Sequence, residues 1–356
     1  LQFKVVEDTY IYTTSAKNYI SNMKFLVAAD PNKLASLEVN SNVFSNEKDS
    51  EFTIKVVDKS ANDSKIVQLV GLEDDVAILH DDGELRFVKS KMHISPKYTP
   101  VGIFSDVTKE TVYRVNSNGI IEYIRGDSCI SFPCDIGTTE IATAAFDGHD
   151  SFAFWGDKKG SVWKINSETH IITQIFKFSF DYGMVSSKSS PPLAFCGQNL
   201  VLGNGSGILT CINIESGSTH TLLISSGGTA MNNEVKCVTA INDHEVCAGT
   251  AGGAAFKLST SNNRLRLLGK FSPVQGSIRF ICERDGLIAL GGVDRSVYVF
   301  DLQTRQIVSR VYTGWTLRSI AFISTDKEEE LEADDDMWEV IDHNEAEESE
   351  WSGFDD

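Results

Sequence analysis

Eight of the chain's eleven arginines fall at positions 264, 266, 279, 284, 295, 305, 310 and 318. A guanidinium presents its donors in a rigid fork that matches phosphate and carboxylate oxygens. Residues 257–318 hold ten basic and four acidic side chains, a net of +6. Residues 326–356 follow with sixteen acids and one lysine, a net of −15 within a chain total of −18. The chemistry these residues suggest is recognition by charge. Arg264, Arg266, Arg279, Arg295, Arg305 and Arg310 are candidate contacts to an RNA backbone or an acidic partner. Arg295 stands out because it lies in a tight turn, where a side chain is presented to solvent.

The acidic tail carries a second candidate. Asp334-Asp-Asp-Met-Trp-Glu-Val-Ile-Asp342 sets Met337, Trp338, Val340 and Ile341 in an acidic run. On a helix Met337, Val340 and Ile341 share one face with Trp338 at its edge. Trp351 and Phe354 form a second aromatic pair. A segment this acidic cannot bury a core, so 325–356 is expected to be disordered when free. Trp is a frequent interface anchor. The reading is a docking motif that turns helical on a partner.

Other chemistry finds little support. Gly203-Asn-Gly-Ser-Gly207 looks like a phosphate loop but is followed by Ile208–Ile214, a strand pattern and not the helix that would hold the anion. The seven histidines are scattered, with no metal spacing, and no G-x-S-x-G elbow is present. No catalytic residue, metal or cofactor is assigned, and the chain reads as a non-enzyme. The seven cysteines include no C-x-x-C pair; Cys196, Cys211, Cys237, Cys247 and Cys282 lie on or beside strand patterns and read as small buried hydrophobes in a reducing compartment. The first residues do not read as a signal peptide, and no apolar run nears the roughly 20 residues that span a bilayer. No membrane partner is expected.

The elements that must position the arginines are strands. Leu287–Gly292, a turn at Asp294-Arg295, Ser296–Asp301, a turn at Gln303-Thr304 and Ile307–Tyr312 make one hairpin meander. Weaker copies turn at Asp30-Pro31-Asn32, Asp81-Asp82-Gly83, Asn118-Gly119, Lys159-Gly160, Ser206-Gly207 and Gly252-Gly253. A period near forty residues with short strands is the sign of a propeller. The fold expected is all-β: a seven-bladed, WD-repeat-like β-propeller over 23–324 with a disordered acidic C-terminal tail. Leu317–Ser324 resembles Ser277–Cys282 and should be the innermost strand of blade one, beside Lys24–Ala29, closing the ring. Residues 1–22 are either an extra strand or a segment upstream of a natural start near Met23.

At this point the residues resemble a family. Gly269-Lys-Phe271, Gly276-Ser-Ile-Arg279, Gly291-Gly-Val-Asp-Arg-Ser-Val-Tyr-Val-Phe-Asp301, Thr304, Val311-Tyr312 and an acidic linker to Asp335-Asp-Met-Trp338 are similar to the end of a nucleolar WD-repeat ribosome assembly factor. The likeness runs over roughly 265–340. It implies a seven-bladed scaffold that joins precursors of the large (60S) subunit in the nucleolus and nucleus. The implied partners are other pre-60S assembly factors and a nuclear AAA-ATPase linked to release; the arginine stretch adds direct contact to the rRNA backbone as an expectation, with the chain a monomer within a large assembly. Family tails end rich in lysine, whereas this chain ends Trp351-Ser-Gly-Phe-Asp-Asp356. Two other readings of the residues stay open: a dedicated chaperone whose acidic tail shields a basic client such as a ribosomal protein or histone, and a general scaffold such as a substrate adaptor or pore-complex component.

Overall fold

The computed structural model describes residues 22–29, 33–40, 52–59, 64–95, 97–126, 128–134, 140–156, 161–169, 171–177, 191–225, 230–323 and 339–340. Their twenty-nine strands make seven antiparallel sheets, six of four strands and one of five. Counted outward from the centre, blade one is β28 (Leu317–Ile323), β1 (Asn22–Ala29), β2 (Lys33–Asn40) and β3 (Phe52–Lys59). Blade two is β4 (Ile66–Gly71), β5 (Val76–His80), β6 (Leu85–Phe87) and β7 (His93–Ile94). Blade three is β8 (Pro100–Ser105), β9 (Val112–Asn116), β10 (Ile120–Arg125) and β11 (Ser128–Pro133). Blade four is β12 (Ile141–Phe146), β13 (Ser151–Gly156), β14 (Ser161–Asn166) and β15 (Ile172–Lys177). Blade five is β16 (Leu193–Cys196), β17 (Asn199–Gly203), β18 (Ile208–Asn213) and β19 (Thr219–Leu223). Blade six is β20 (Val235–Asn242), β21 (Glu245–Thr250), β22 (Ala255–Ser259) and β23 (Arg266–Lys270). Blade seven is β24 (Ile278–Arg284), β25 (Leu287–Gly292), β26 (Ser296–Asp301) and β27 (Ile307–Tyr312).

The first strands of neighbouring blades pack in a closed circuit, β28 to β4 and on through β24 back to β28. The chain is therefore a seven-bladed β-propeller. The ring closes where the similarity of 317–324 to 277–282 places it: β28 pairs with β1 from Lys24 opposite Ile323 to Ala29 opposite Leu317. Phe25 and Phe322 lie side by side in that register, ring centroids 4.6 Å apart.

Seven apolar clusters hold the ring together, one between each pair of adjacent blades. The cluster between blades seven and one joins Val297, Val299 and Val311 to Phe25, Val27 and Leu37. Each sheet is thus covered on both faces. β5, β9, β17 and β25 are buried at every residue. The apolar-out-of-water alternation survives only in outer strands such as β19, whose edge meets solvent.

Chain direction divides the molecule into two rims. The links between blades and the turns between second and third strands share one rim, here the link rim. The remaining turns share the opposite rim. Among the described residues the second turn of a blade repeats one geometry. Gly83, Gly119, Gly207 and Gly253 have φ of 90°, 82°, 83° and 80°, conformations that favour glycine. The same position in blade seven is Arg295, at φ 64°. The carbonyl at this position accepts a hydrogen bond from the link to the next blade: Gly207 O from Ile224 N at 2.8 Å, Gly253 O from Val274 N at 3.0 Å and Arg295 O from Thr313 N at 2.9 Å. The turns at 30–32 and 159–160 lie outside the described residues.

Part of the tail meets the ring. Glu339 and Val340 form a short strand, β29 (Glu339–Val340), that pairs antiparallel with β3, Glu339 opposite Val56 and Val340 opposite Lys55. The backbone there is extended in the free chain, where the outer edge of β3 offers unpaired amides and carbonyls; the helix expected on a partner concerns the bound state. Residues 1–21, the rest of 325–356, and with them the expectations for an N-terminal strand and a disordered tail, lie outside the described residues.

Candidate functional site

The site begins with an irregularity in the innermost strands. In six blades the pairing of first and second strand slips by one residue near the link rim. The slip skips one residue of the ladder: Val67 in β4, Val101 in β8, Ala142 in β12, Lys236 in β20, Arg279 in β24 and Arg318 in β28. Such a bulge breaks the ladder and re-aims a side chain. Blades two to four place neutral residues there. Blades six, seven and one place a cation there, on three first strands packed in succession. Lys236 and Arg279 are exposed and Arg318 is half-buried. Lys236 Nζ pairs with Glu234 at 2.7 Å.

Arg295 extends this arc outward along blade seven. It is exposed, and the neighbouring Asp294 is engaged elsewhere: its carboxylate accepts from Tyr298 Oη at 2.6 Å and from Ser296 N at 3.3 Å. Burial, then the Asp294 contact, pushes the Tyr298 phenol up, which keeps it a donor. Thr313 locks the turn to the adjoining link. Its Oγ1 and its N both donate to Arg295 O at 2.9 Å, and Trp315 N donates to Thr313 Oγ1 at 3.3 Å. Lys33 of blade one lies 4.5 Å from the Trp315 ring centroid, a cation–π contact. Tyr312, the last residue of β27, reaches the same rim 53% exposed.

The ring separates the arginines that the sequence groups. Arg279 and Arg295 share the link rim. Arg264 follows the short helical turn η2 (Ser261–Asn263) on the opposite rim. Arg305 is there too, its Nη1 donating to Leu268 O at 3.4 Å, which ties blade seven to blade six. Arg266 and Arg310 lie on outer strands, at the circumference; the Arg310 guanidinium sits 5.3 Å from the Tyr298 ring centroid. Arg318 was counted in the arginine-rich stretch and not singled out, and Lys236 and Lys33 were missed. Lys236 and Arg318 share a strand position that shows only once the bulges are aligned. Of the tail candidates, Val340 lies in β29, and Met337, Trp338, Ile341, Trp351 and Phe354 lie outside the described residues.

The central channel opens on the opposite rim as a cavity of about 900 Å³, with Asp106, Asp147, Asp243, His149 and His244 in its lining. Two of these carboxylates shape turns. Asp147 Oδ1 accepts from the backbone of His149, Asp150 and Ser151, and Asp106 Oδ1 from Glu110 and Thr111. Among the described residues no group of His, Cys, Asp and Glu stands close enough to hold a metal. The seven cysteines are all free thiols, and burial pushes Cys134, Cys211 and Cys237 up to about 12. Thiols held protonated are poor nucleophiles. Gly203–Gly207 is the blade-five turn, with Asn204 Oδ1 accepting from Ser206 N and Ile208 N.

No family model matches the chain. A stretch of 61 residues is 43% identical to the ribosome biogenesis protein NSA1 of Meyerozyma guilliermondii. The match covers 16% of this chain and 15% of that protein's length.

Proposed function

We propose that this chain is a non-catalytic docking platform in assembly of the large ribosomal subunit. The observation that carries the reading is the 43% identity over 61 residues to a protein named for ribosome biogenesis, on a seven-bladed propeller. The family resemblance over 265–340 points the same way. A propeller of this kind offers two rims of short polar turns on a rigid ring, a geometry suited to holding several partners at once. Pre-60S assembly factors are the proposed partners, with a AAA-ATPase acting at release, and the nucleolus is the proposed site of action. The tail supplies a detachable segment, as Trp338 and its apolar neighbours suggest.

The test is affinity purification of the tagged full chain followed by mass spectrometry and RNA sequencing. Large-subunit precursor rRNA with assembly factors is the expected result. One stoichiometric basic protein would make the chain a dedicated chaperone. Recovery of neither would leave a general scaffold and overturn the assembly reading.

A further inference from the structure

We propose that the link rim of blades six, seven and one, with Lys236, Arg279, Arg318 and Arg295 as its cations, binds the phosphate backbone of an unpaired RNA segment. Three of these cations occupy one structural position, the bulge of the first strand, in three consecutive blades. They therefore form an arc and not a cluster. An arc of fixed charges suits a linear polyanion, which meets one cation after another along its length. The other three bulges hold Val67, Val101 and Ala142, so the arc stops at blade one. Arg295 adds a fourth charge in a turn where four other blades have glycine. Thr313 holds that turn against the next link.

The aromatic at the margin favours RNA over a simple polyacidic segment. Tyr312 ends β27 beside Thr313 with half its surface exposed. An exposed ring among cations is the pairing that single strands use, bases stacking while the backbone is neutralised. A plain run of carboxylates makes no use of the ring. Lys236 is paired with Glu234, and that carboxylate offsets part of its charge. The choice of RNA over single-stranded DNA rests on the assembly reading above; the arc itself does not.

The test uses the full chain and a fluorescent single-stranded RNA of mixed sequence, with a polyglutamate peptide as the rival ligand. Arg279→Glu with Arg295→Gly is the main variant. Glycine is the residue that other blades place at this turn, so the second change preserves the fold. Affinity for RNA should fall about tenfold. The slope of log affinity against log salt should shrink by about 1.4, near 0.7 for each phosphate that the variant no longer neutralises. Tyr312→Ala should weaken RNA binding several-fold and leave polyglutamate binding unchanged. Arg264→Glu with Arg266→Glu, away from the link rim, should do much less than the main variant. RNA affinity indifferent to the link-rim changes overturns the proposal. So does polyglutamate binding as tightly as RNA with the same dependence on Arg279. A chain that joins ribosomal precursors and fails here loses the RNA surface alone. A chain that binds RNA through Arg279 and joins no precursor loses the assembly reading alone.

Discussion

Arg114 and Glu122 face each other across β9 and β10 with Nε donating to Oε2 at 2.6 Å, and both side chains are sealed from solvent, 1% and 0% exposed. The pair is also a bolt between blades. Arg114 Nη1 donates to Gly83 O of blade two at 2.8 Å, and Asn116 Nδ2 donates to Glu122 Oε2 at 3.0 Å. Removing one partner strands a buried charge. Arg114→Ala should cost about 3–5 kcal/mol of stability, whereas Arg114→Met with Glu122→Leu should cost much less. Equilibrium denaturation of the three proteins checks both.

The same pair predicts acid sensitivity. Burial raises the Glu122 carboxyl, but the hydrogen bonds from Arg114 and Asn116, with the Arg114 charge, outweigh it and hold the group below its ordinary value. A depressed folded value means the unfolded chain binds the proton first. Stability from Glu122 is therefore full above the ordinary carboxylate range and is lost as pH falls through the folded value. Denaturation midpoints from about pH 7 to about pH 3 should drop more steeply for the native chain than for the apolar double variant. Equal slopes would mean another group governs the acid limb.

Turn glycines and Arg295 should respond in opposite ways. A Cβ at Gly253 would lie 2.2 Å from Val274 O, in a conformation that itself costs a β-carbon about 1–2 kcal/mol. Gly253→Ala should lower the melting temperature clearly. Arg295→Gly should leave it unchanged or raise it, because Arg295 already bears that backbone cost at φ 64°.

Ring closure can be tested at its seam. Phe25 is fully buried against Phe322, and Phe25→Ala should cost about 3–5 kcal/mol. Deleting 317–323 removes the inner strand of blade one and exposes the edge of β1, so the product should aggregate. A soluble deletion variant that unfolds in one cooperative step would contradict closure through β28.

The tail strand makes a separate prediction. β29 covers the outer edge of β3 at Lys55 and Val56. Removing 325–356 should speed amide exchange in β3 and leave β1 protected. It should also strengthen RNA binding at low salt, because a net of −15 leaves with it. Unchanged exchange in β3 would mean that β29 contributes nothing to blade one.

Much of the ring was legible because its turns are chemically narrow. Gly83, Gly119, Gly207 and Gly253 mark backbone conformations other residues avoid, and they recur at the blade period. The charged arc was not legible. Arg264 through Arg310 crowd one stretch of sequence, yet a meander sends successive turns to opposite rims, so Arg279 and Arg305 end far apart in role. Lys236, Arg279 and Arg318 are separated by about forty residues each, the blade period, and meet only because a bulge recurs in each first strand. A one-residue slip leaves no compositional trace. The Arg114–Glu122 bolt was missed for a like reason: charges eight residues apart read as exposed until the register pairs them.

The seam between β28 and β1 also sets an order of events during translation. Lys24 waits for Ile323, about 300 residues later, so blade one leaves the ribosome early with its inner place vacant. Blades two to seven can form as they emerge, each against its predecessor, but the circle latches only when the final strand arrives. Contacts so distant in sequence form late. A chain cut short between Tyr312 and Leu317 has the other six blades and still cannot latch. The fold therefore reports on its own completeness: a partner that recognises the arc across blades six, seven and one engages only finished molecules, since Arg318 takes its place in that arc with the last strand to dock.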